Sequence, residues 1–316
     1  MATMATSLTS EAMAPRSQPR IIDVHRFEND AAPRGEGARV DLLIEVPHGA
    51  TATADYEAVA GELRSPLPEG LVEFFEVNTD AGAFELAAAV AQRFVEGSPT
   101  RRAMVLRSRI PRTFIDCNRR LSVSPEELRA GRVDPGLMPW VTAPEDRALL
   151  LARYEAYVAA VDAATSRLAP DAAMVMLHTY APRTLPVQVD LEIVPNLRAA
   201  YRPELVETWP LRPEVDLITR TLEGEDHAPR PVVDALRWEL AAVGITPAES
   251  ATYPLHPSSL AWDHVHRMPG QALCLEVRRD LLGDFVPLRP VVVDPRRVAR
   301  LAEPLARALG AFWERP

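Results

Sequence analysis

The residues best suited to chemistry are two histidines that each end an apolar run, an acid set inside a third such run, and a knot of Asp, Asn and Arg between them. His48 follows VDLLIEV within Val46-Pro47-His48-Gly49-Ala50, and His178 follows MVML within His178-Thr179-Tyr180. Imidazole is a good zinc ligand, and open α/β sheets gather their ligands at the carboxyl ends of the strands, where both histidines would lie. Either alone reads equally well as a structural histidine at a turn. On neighbouring strands the two would converge on one cation.

Glu276 interrupts the apolar stretch Leu273-Cys274-Leu275-Glu276-Val277. Burying a carboxylate there is costly unless it is paired or held for chemistry; the alternative is an edge strand with Glu276 in water. The segment Arg112-Thr113-Phe114-Ile115-Asp116-Cys117-Asn118-Arg119-Arg120 offers a planar, bidentate cation to a substrate carboxylate, with Asp116 orienting the Arg or its loop. A surface salt-bridge cluster is the plainer reading in so Arg-rich a chain. His264, in Trp262-Asp263-His264-Val265-His266, could fold over a pocket and donate a hydrogen bond to substrate, or lie on a surface loop.

These residues need strands to carry them. Short apolar runs alternate with long amphipathic ones, which predicts an α/β fold: a mixed, mostly parallel sheet with helices on both faces. The expected strands are 40–46, 74–78, 103–106, 113–115, 173–177, 187–193 and 272–277, several of them continuous apolar runs suited to burial on both sides. The expected helices are 84–94, 144–168, 231–243 and 295–312; three open with Pro, which suits a first helical turn. Pro-rich loops are expected at 64–70, 132–144 and 203–213, while 199–231, of mixed charge and little periodicity, reads equally as a lid, an insertion or a peripheral subdomain.

The whole chain sets limits. Its 316 residues, 47% hydrophobic and 25% charged, suit a globular protein, read as a mobile tail over 1–18 and a single catalytic domain over 19–316. A net charge of −9 gives no support to a nucleic-acid partner. All 35 basic residues are Arg, which excludes lysine Schiff-base chemistry. Cys117 and Cys274 are too few for a disulfide framework and are expected reduced and buried. No run has the length of a signal-peptide core or a membrane span, so a cytoplasmic protein without a membrane partner is expected. Oligomeric state is left open.

Taken together, the four segments resemble two related enzyme groups. Zinc carboxypeptidases share the order of an early His, Asp-x-Asn-Arg, a later His-Ser/Thr-Tyr strand and a final Glu-Leu/Val-Arg strand; here these are His48, Asp116-Cys117-Asn118-Arg119, His178-Thr179-Tyr180 and Glu276-Val277-Arg278. The pattern is more similar to that of the N-formylglutamate amidohydrolases, through Pro47-His48-Gly49, Thr79-Asp80, Arg112 with Asp116-Cys117-Asn118-Arg119, and Glu276-Val277-Arg278-Arg279. The resemblance spans about residues 40 to 285.

The resemblance implies a carboxypeptidase-like fold of the phosphorylase/hydrolase type and a Zn²⁺ site with His48 and His178 as ligands. Glu276 would take a proton from the attacking water and pass it to the leaving nitrogen. Arg112 would stabilise the oxyanion, and Asn118 with Arg119 would hold the carboxylate of a small-molecule substrate such as N-formylglutamate. Two alternatives are a metallocarboxypeptidase or peptide-tailoring hydrolase, and a non-catalytic relative that binds a carboxylate.

Two positions depart from these patterns. Carboxypeptidases place a Glu ligand three residues after the first His, where this chain has Thr51. Asp80 is the expected substitute, with Glu45 and Asp55 as weaker choices; capping the helix that begins near Gly82 is an equally good use of an Asp. The Ser that usually follows the first His of the amidohydrolases is replaced by Gly49.

Overall fold

Hydrophobic runs long enough to cross a sheet, with no polar face of their own, place three strands at the centre of this fold. The computed structural model describes residues 15–29, 39–121 and 136–313; most of the tail expected over 1–18 and part of the loop expected over 132–144 lie outside them. Seven strands form one sheet in the order β1-β3-β2-β4-β7-β5-β6. They are β1 (Ile22–Glu28), β2 (Val40–Val46), β3 (Arg102–Ser108), β4 (Leu168–Tyr180), β5 (Val215–Ile218), β6 (Ala248–Glu249) and β7 (Ala272–Arg278). Strands β3, β2, β4 and β7 run parallel, whereas β1 joins β3 and β5 joins β7 antiparallel. The mixed, mostly parallel α/β sheet is therefore as expected.

Side chains alternate between the two faces of a strand, so register sorts the core into two layers. One face buries Leu42, Ile44, Val175, Leu177, Leu273 and Leu275. Three helices cover it: α3 (Ala83–Glu96), α7 (Arg230–Ala241) and α9 (Pro295–Trp313), all close to their expected positions. The other face carries Leu43, Met174, Met176 and Cys274 beneath helix α4 (Pro144–Thr165). Around its edge sit α1 (Thr53–Ala60), α2 (Leu71–Asn78), α5 (Ile193–Ala200), the single turn α6 (Pro203–Val206) and α8 (Leu260–Arg267). A short hairpin, β8 (Gly283–Asp284) with β9 (Val292–Val293), follows the sheet. Among the described residues no helix is long and apolar enough to cross a membrane. Cys117 and Cys274 are free and buried, as expected.

Four expectations are corrected. Residues 74–78 belong to α2, because Leu71, Phe74 and Phe75 bury one helical face and the apolar run follows a left-handed Gly70. Residues 113–115 form a turn with a single bridge from Ile115 to Leu137; Phe114 and Ile115 are buried as isolated anchors. Residues 187–193 are irregular up to the start of α5, their partly buried valines packing from a loop. Within 203–213 the chain makes α6, and the unassigned 199–231 supplies β5.

The turn after β2 explains Gly49. Its carbonyl accepts from Arg107 Nε at 2.7 Å, and a β-carbon there would lie 2.6 Å from Arg107 Cγ and 3.2 Å from the Ser108 and Val46 carbonyl oxygens. A side chain is excluded while Arg107 holds the turn. Gly49→Ala is expected to destabilise the fold by about 1–3 kcal/mol, as overpacking does, read as a lower urea midpoint at unchanged slope.

Candidate metal centre

His48, Asp80 and His178 converge because two loops are tied together at the carboxyl edge of the sheet. The Asp80 amide donates to the His48 carbonyl at 3.3 Å, and Thr79 Oγ1 donates to the Ala50 carbonyl at 2.8 Å. These bonds place the end of α2 beside the end of β2, while His178 stands on β4 itself. Asp80 Oδ2 lies 3.2 Å from His48 Nδ1 and 2.9 Å from His178 Nδ1, and the two Nδ1 atoms are 3.2 Å apart. Ligands at about 2.0–2.1 Å from a tetrahedral zinc stand roughly 3.3 Å from one another, so the three atoms have the spacing of one face of such a site. All three residues are buried, and they form a group that could hold a metal ion.

Charge around the cluster is arranged accordingly. Burial acts to raise the Asp80 carboxyl, yet the two histidines hold it well below the usual range. For His48, burial and Arg112 act downward, but Asp116 and Asp80 outweigh them and raise its pKa. The carboxylates around His48 thus favour its charged form. Asp80 has no capping role: the N-cap of α3 is Gly82, and no side chain caps the helix. Arg279, fully buried, stands 3.9 Å from Asp80 Oδ1 and is fixed by the Val77 carbonyl at 2.7 Å.

The outer nitrogens of the histidines are held as well. His48 Nε2 is 2.8 Å from Asp116 Oδ1, which also accepts from the Asn118 amide at 2.8 Å. Asp116 Oδ2 accepts from Arg112 Nε at 3.0 Å and lies 3.8 Å from Arg119 Nε. Asn118 Nδ2 is 3.3 Å from His178 Nε2, and its Oδ1 accepts from the Ala261 amide at 3.2 Å. The Asp116–Arg119 knot is therefore wrapped around the histidines, with Arg112 and Arg119 partly exposed at 20% and 12%. Carboxylate partners of ligating histidines tune metal affinity by about 10–100-fold. Asp116→Asn is expected to weaken metal binding within that range, measured by competition against a chelator of known affinity.

Glu276 is the register partner of His178 across β4 and β7, so both point into the same face. Burial pushes its carboxyl up to about 7, with Asp80 adding to the rise while His178 and Arg212 oppose it. Its Oε2 is buried without a hydrogen-bond partner. The edge-strand alternative for Glu276 is thereby ruled out. On its far side lies its register partner Asp216 of β5, which is fully buried and accepts from the Thr252 and Ala251 amides at 2.6 and 3.1 Å.

The weaker acid candidates have other uses. Asp55 pairs with Arg109. Glu45 Oε1 accepts from Tyr157 OH at 2.7 Å, and its Oε2 lies 3.4 Å from His264 Nε2. Burial acts to raise the Glu45 carboxyl, but His264, Tyr157 and His178 together bring it below its ordinary value. The placement of His264 on a pocket-covering or surface loop is corrected: it is 2% exposed on α8, packed against Glu45 under the sheet. Sequence reasoning also missed Arg107, Tyr157, Asp216 and Arg279. Only Arg279 carried a signal, its adjacency to the Glu276 strand.

The architecture is thus an open, mostly parallel α/β sheet with a buried His-Asp-His group at its carboxyl edge. The sequence matches no family model and no curated protein. Solved structures do share the fold. One is a gene product of Agrobacterium tumefaciens, 16% identical over 93% of this chain and 94% of that one, with a TM-score of 0.53. Another is the N-formylglutamate amidohydrolase from Ralstonia eutropha, 18% identical over 92% of this chain and 97% of that one, with a TM-score of 0.52.

Proposed function

We propose that this protein is a zinc-dependent amidohydrolase that cleaves the amide bond of an N-acyl amino acid such as N-formylglutamate. The observation that carries this reading is the convergence of His48 Nδ1, Asp80 Oδ2 and His178 Nδ1 near Glu276, whose Oε2 is buried without a hydrogen-bond partner. The fold shared with an N-formylglutamate amidohydrolase supports it. So does the fit of the donor set, two imidazoles and one carboxylate with their outer atoms held, to a catalytic zinc site. A bound zinc ion supplies Lewis acidity toward an amide carbonyl and acidifies a water.

This chain's own residues then divide the remaining work. Glu276, with a carboxyl near neutrality, takes the proton of the attacking water and delivers it to the leaving nitrogen. Arg112, anchored through its Nε on Asp116, supplies positive charge toward the developing oxyanion. Because the Asn118 amide is engaged by His178 and Ala261, the substrate carboxylate falls mainly to Arg119. A cytoplasmic setting belongs to the same proposal and agrees with two free thiols.

Zinc content and turnover on the purified protein test this reading. Stoichiometric zinc with hydrolysis of N-formylglutamate or another N-acyl amino acid is expected. Cleavage of peptides with a free C-terminus and no activity on N-acyl amino acids would select the peptide-tailoring hydrolase instead, and a protein that neither binds zinc nor depends on chelatable metal would be a carboxylate binder. Arg119→Ala is expected to raise KM roughly tenfold or more with little change in kcat, the pattern for a charge-assisted contact present in both ground and transition states.

A further inference from the structure

The short helix α8 meets the metal centre through Asn118. The Leu260 amide donates to the Asn118 carbonyl and the Ala261 amide to its Oδ1, both at 3.2 Å. Amides of a first helical turn have no partner within the helix, so Asn118 satisfies two of them. A backbone amide can only donate, which turns the side-chain oxygen toward α8 and leaves Nδ2 facing His178 Nε2 at 3.3 Å. The Arg120 amide adds a further tie, donating to the Ser258 carbonyl at 2.7 Å. Where α8 sits therefore decides how the outer nitrogen of His178 is held.

The buried side chains of α8 are Ala261, His264 and Val265, and His264 is the polar one. Arg267 NH2 donates to its Nδ1 at 3.1 Å, which puts the ring proton on Nε2. That nitrogen is buried, has no hydrogen-bond partner among the described residues, and faces Glu45 Oε2 at 3.4 Å. Glu45, 2% exposed, stands on β2, the strand that leads into His48. Its Oε1 accepts from Tyr157 OH of α4 at 2.7 Å, and one turn earlier on α4 Tyr154 OH donates to the Arg119 carbonyl at 2.8 Å. Apolar side chains in place of such a buried polar group are often as stabilising or more so, so stability alone gives no reason for a carboxylate and an imidazole at this depth. A directional contact does fix the rotation of a helix that Ala261 and Val265 alone would hold loosely.

We propose that Glu45 and His264 are positioning residues for the metal centre: their contact sets the rotation of α8 against β2 and so keeps Asn118 aimed at His178. One brace then serves both histidines, reaching His48 along β2 and His178 through α8. The consequence for zinc rests on the amidohydrolase reading, whereas the aim of Asn118 does not depend on it.

The test is hydrogen exchange of the Asn118 side-chain amide, followed by NMR on the full chain, beside zinc affinity by chelator competition and the melting temperature. Glu45→Leu/Tyr157→Phe/His264→Leu removes the three polar groups together. It is expected to melt no lower than wild type, to exchange the Asn118 amide at least tenfold faster, and to bind zinc about 10–100-fold more weakly. His264→Gln, whose amide nitrogen reaches the place of Nε2, is expected to keep the protection, and His264→Asn, one carbon shorter, to lose it; this pair decides the matter should the triple variant not fold. An unprotected Asn118 amide in the wild type, unchanged exchange in the triple variant or in His264→Asn, or a loss that only follows a lower melting temperature would overturn the assignment. Protection that responds as expected in a protein that binds no zinc sinks the zinc reading alone, and zinc bound with equal Asn118 exchange in every variant sinks the role of the pair alone.

Discussion

Glu276→Gln lowers kcat by about 10²–10⁴-fold, the range for loss of a general base, while zinc content and KM stay close to wild type. The glutamine keeps the shape and removes the titratable oxygen that has no partner in the folded protein. Steady-state kinetics with elemental analysis checks the result, and loss of zinc in step with activity would make Glu276 a ligand instead. In the same variant, stability moves the other way. A carboxyl whose pKa rises from 4.5 in the unfolded chain to about 7 in the fold favours its neutral form when folded. It is neutral in both states below about pH 4.5, so no penalty exists there; the penalty grows through the window from 4.5 to 7 and is complete above it. At 1.36 kcal/mol per unit, the metal-free wild type loses about 3 kcal/mol by pH 8. Chelated Glu276→Gln is therefore expected to melt higher than chelated wild type at pH 8, and at the same temperature at pH 4.

His48→Ala and His178→Ala each lower zinc affinity by more than the ~100-fold upper range for a supporting residue, because each removes a donor atom itself. Stoichiometric zinc after dialysis against a weak chelator, in either variant, would remove that residue from the ligand set. The wild type is expected to release protons on loading, since Asp116 and Asp80 outweigh burial and Arg112 to favour protonated His48 in the empty pocket. Affinity should consequently fall as pH drops into the acid range. In His48→Ala that part of the pH dependence disappears, which separates a lost ligand from a merely loosened loop.

How far the sequence revealed this site depended on how each residue is carried. His48, His178 and Glu276 end or interrupt apolar strands, and a strand fixes where its last side chains point; their convergence followed from strand adjacency. Asp80 was legible as an acid after an apolar run, although that run proved to be the helix α2: Leu71, Phe74 and Phe75 satisfy a helical period that the β-branched and aromatic content of FFEVN masks. Asp116 was read as orienting an Arg or its loop, and its Oδ2 does hold Arg112; that its Oδ1 also faces His48 was not legible, because the direction of a turn side chain depends on packing that local sequence does not encode. β5 escaped because it is only four residues long, too short for periodicity to rise above its neighbours. The burial of His264 against Glu45 likewise required the position of α8, a tertiary fact.

The parts of the centre are scattered along the chain: His48 just after β2, Asp80 after α2, His178 on β4 and Glu276 on β7. More than two hundred residues separate the first from the last, and no stretch of backbone shorter than that holds the whole set. A nascent or partly assembled chain therefore offers only scattered single donors, and the group that could hold an ion exists only once distant strands have paired. An ion bound there would rivet the central strand to a neighbour at one end, so that its departure and the separation of those strands would become a single thermodynamic event.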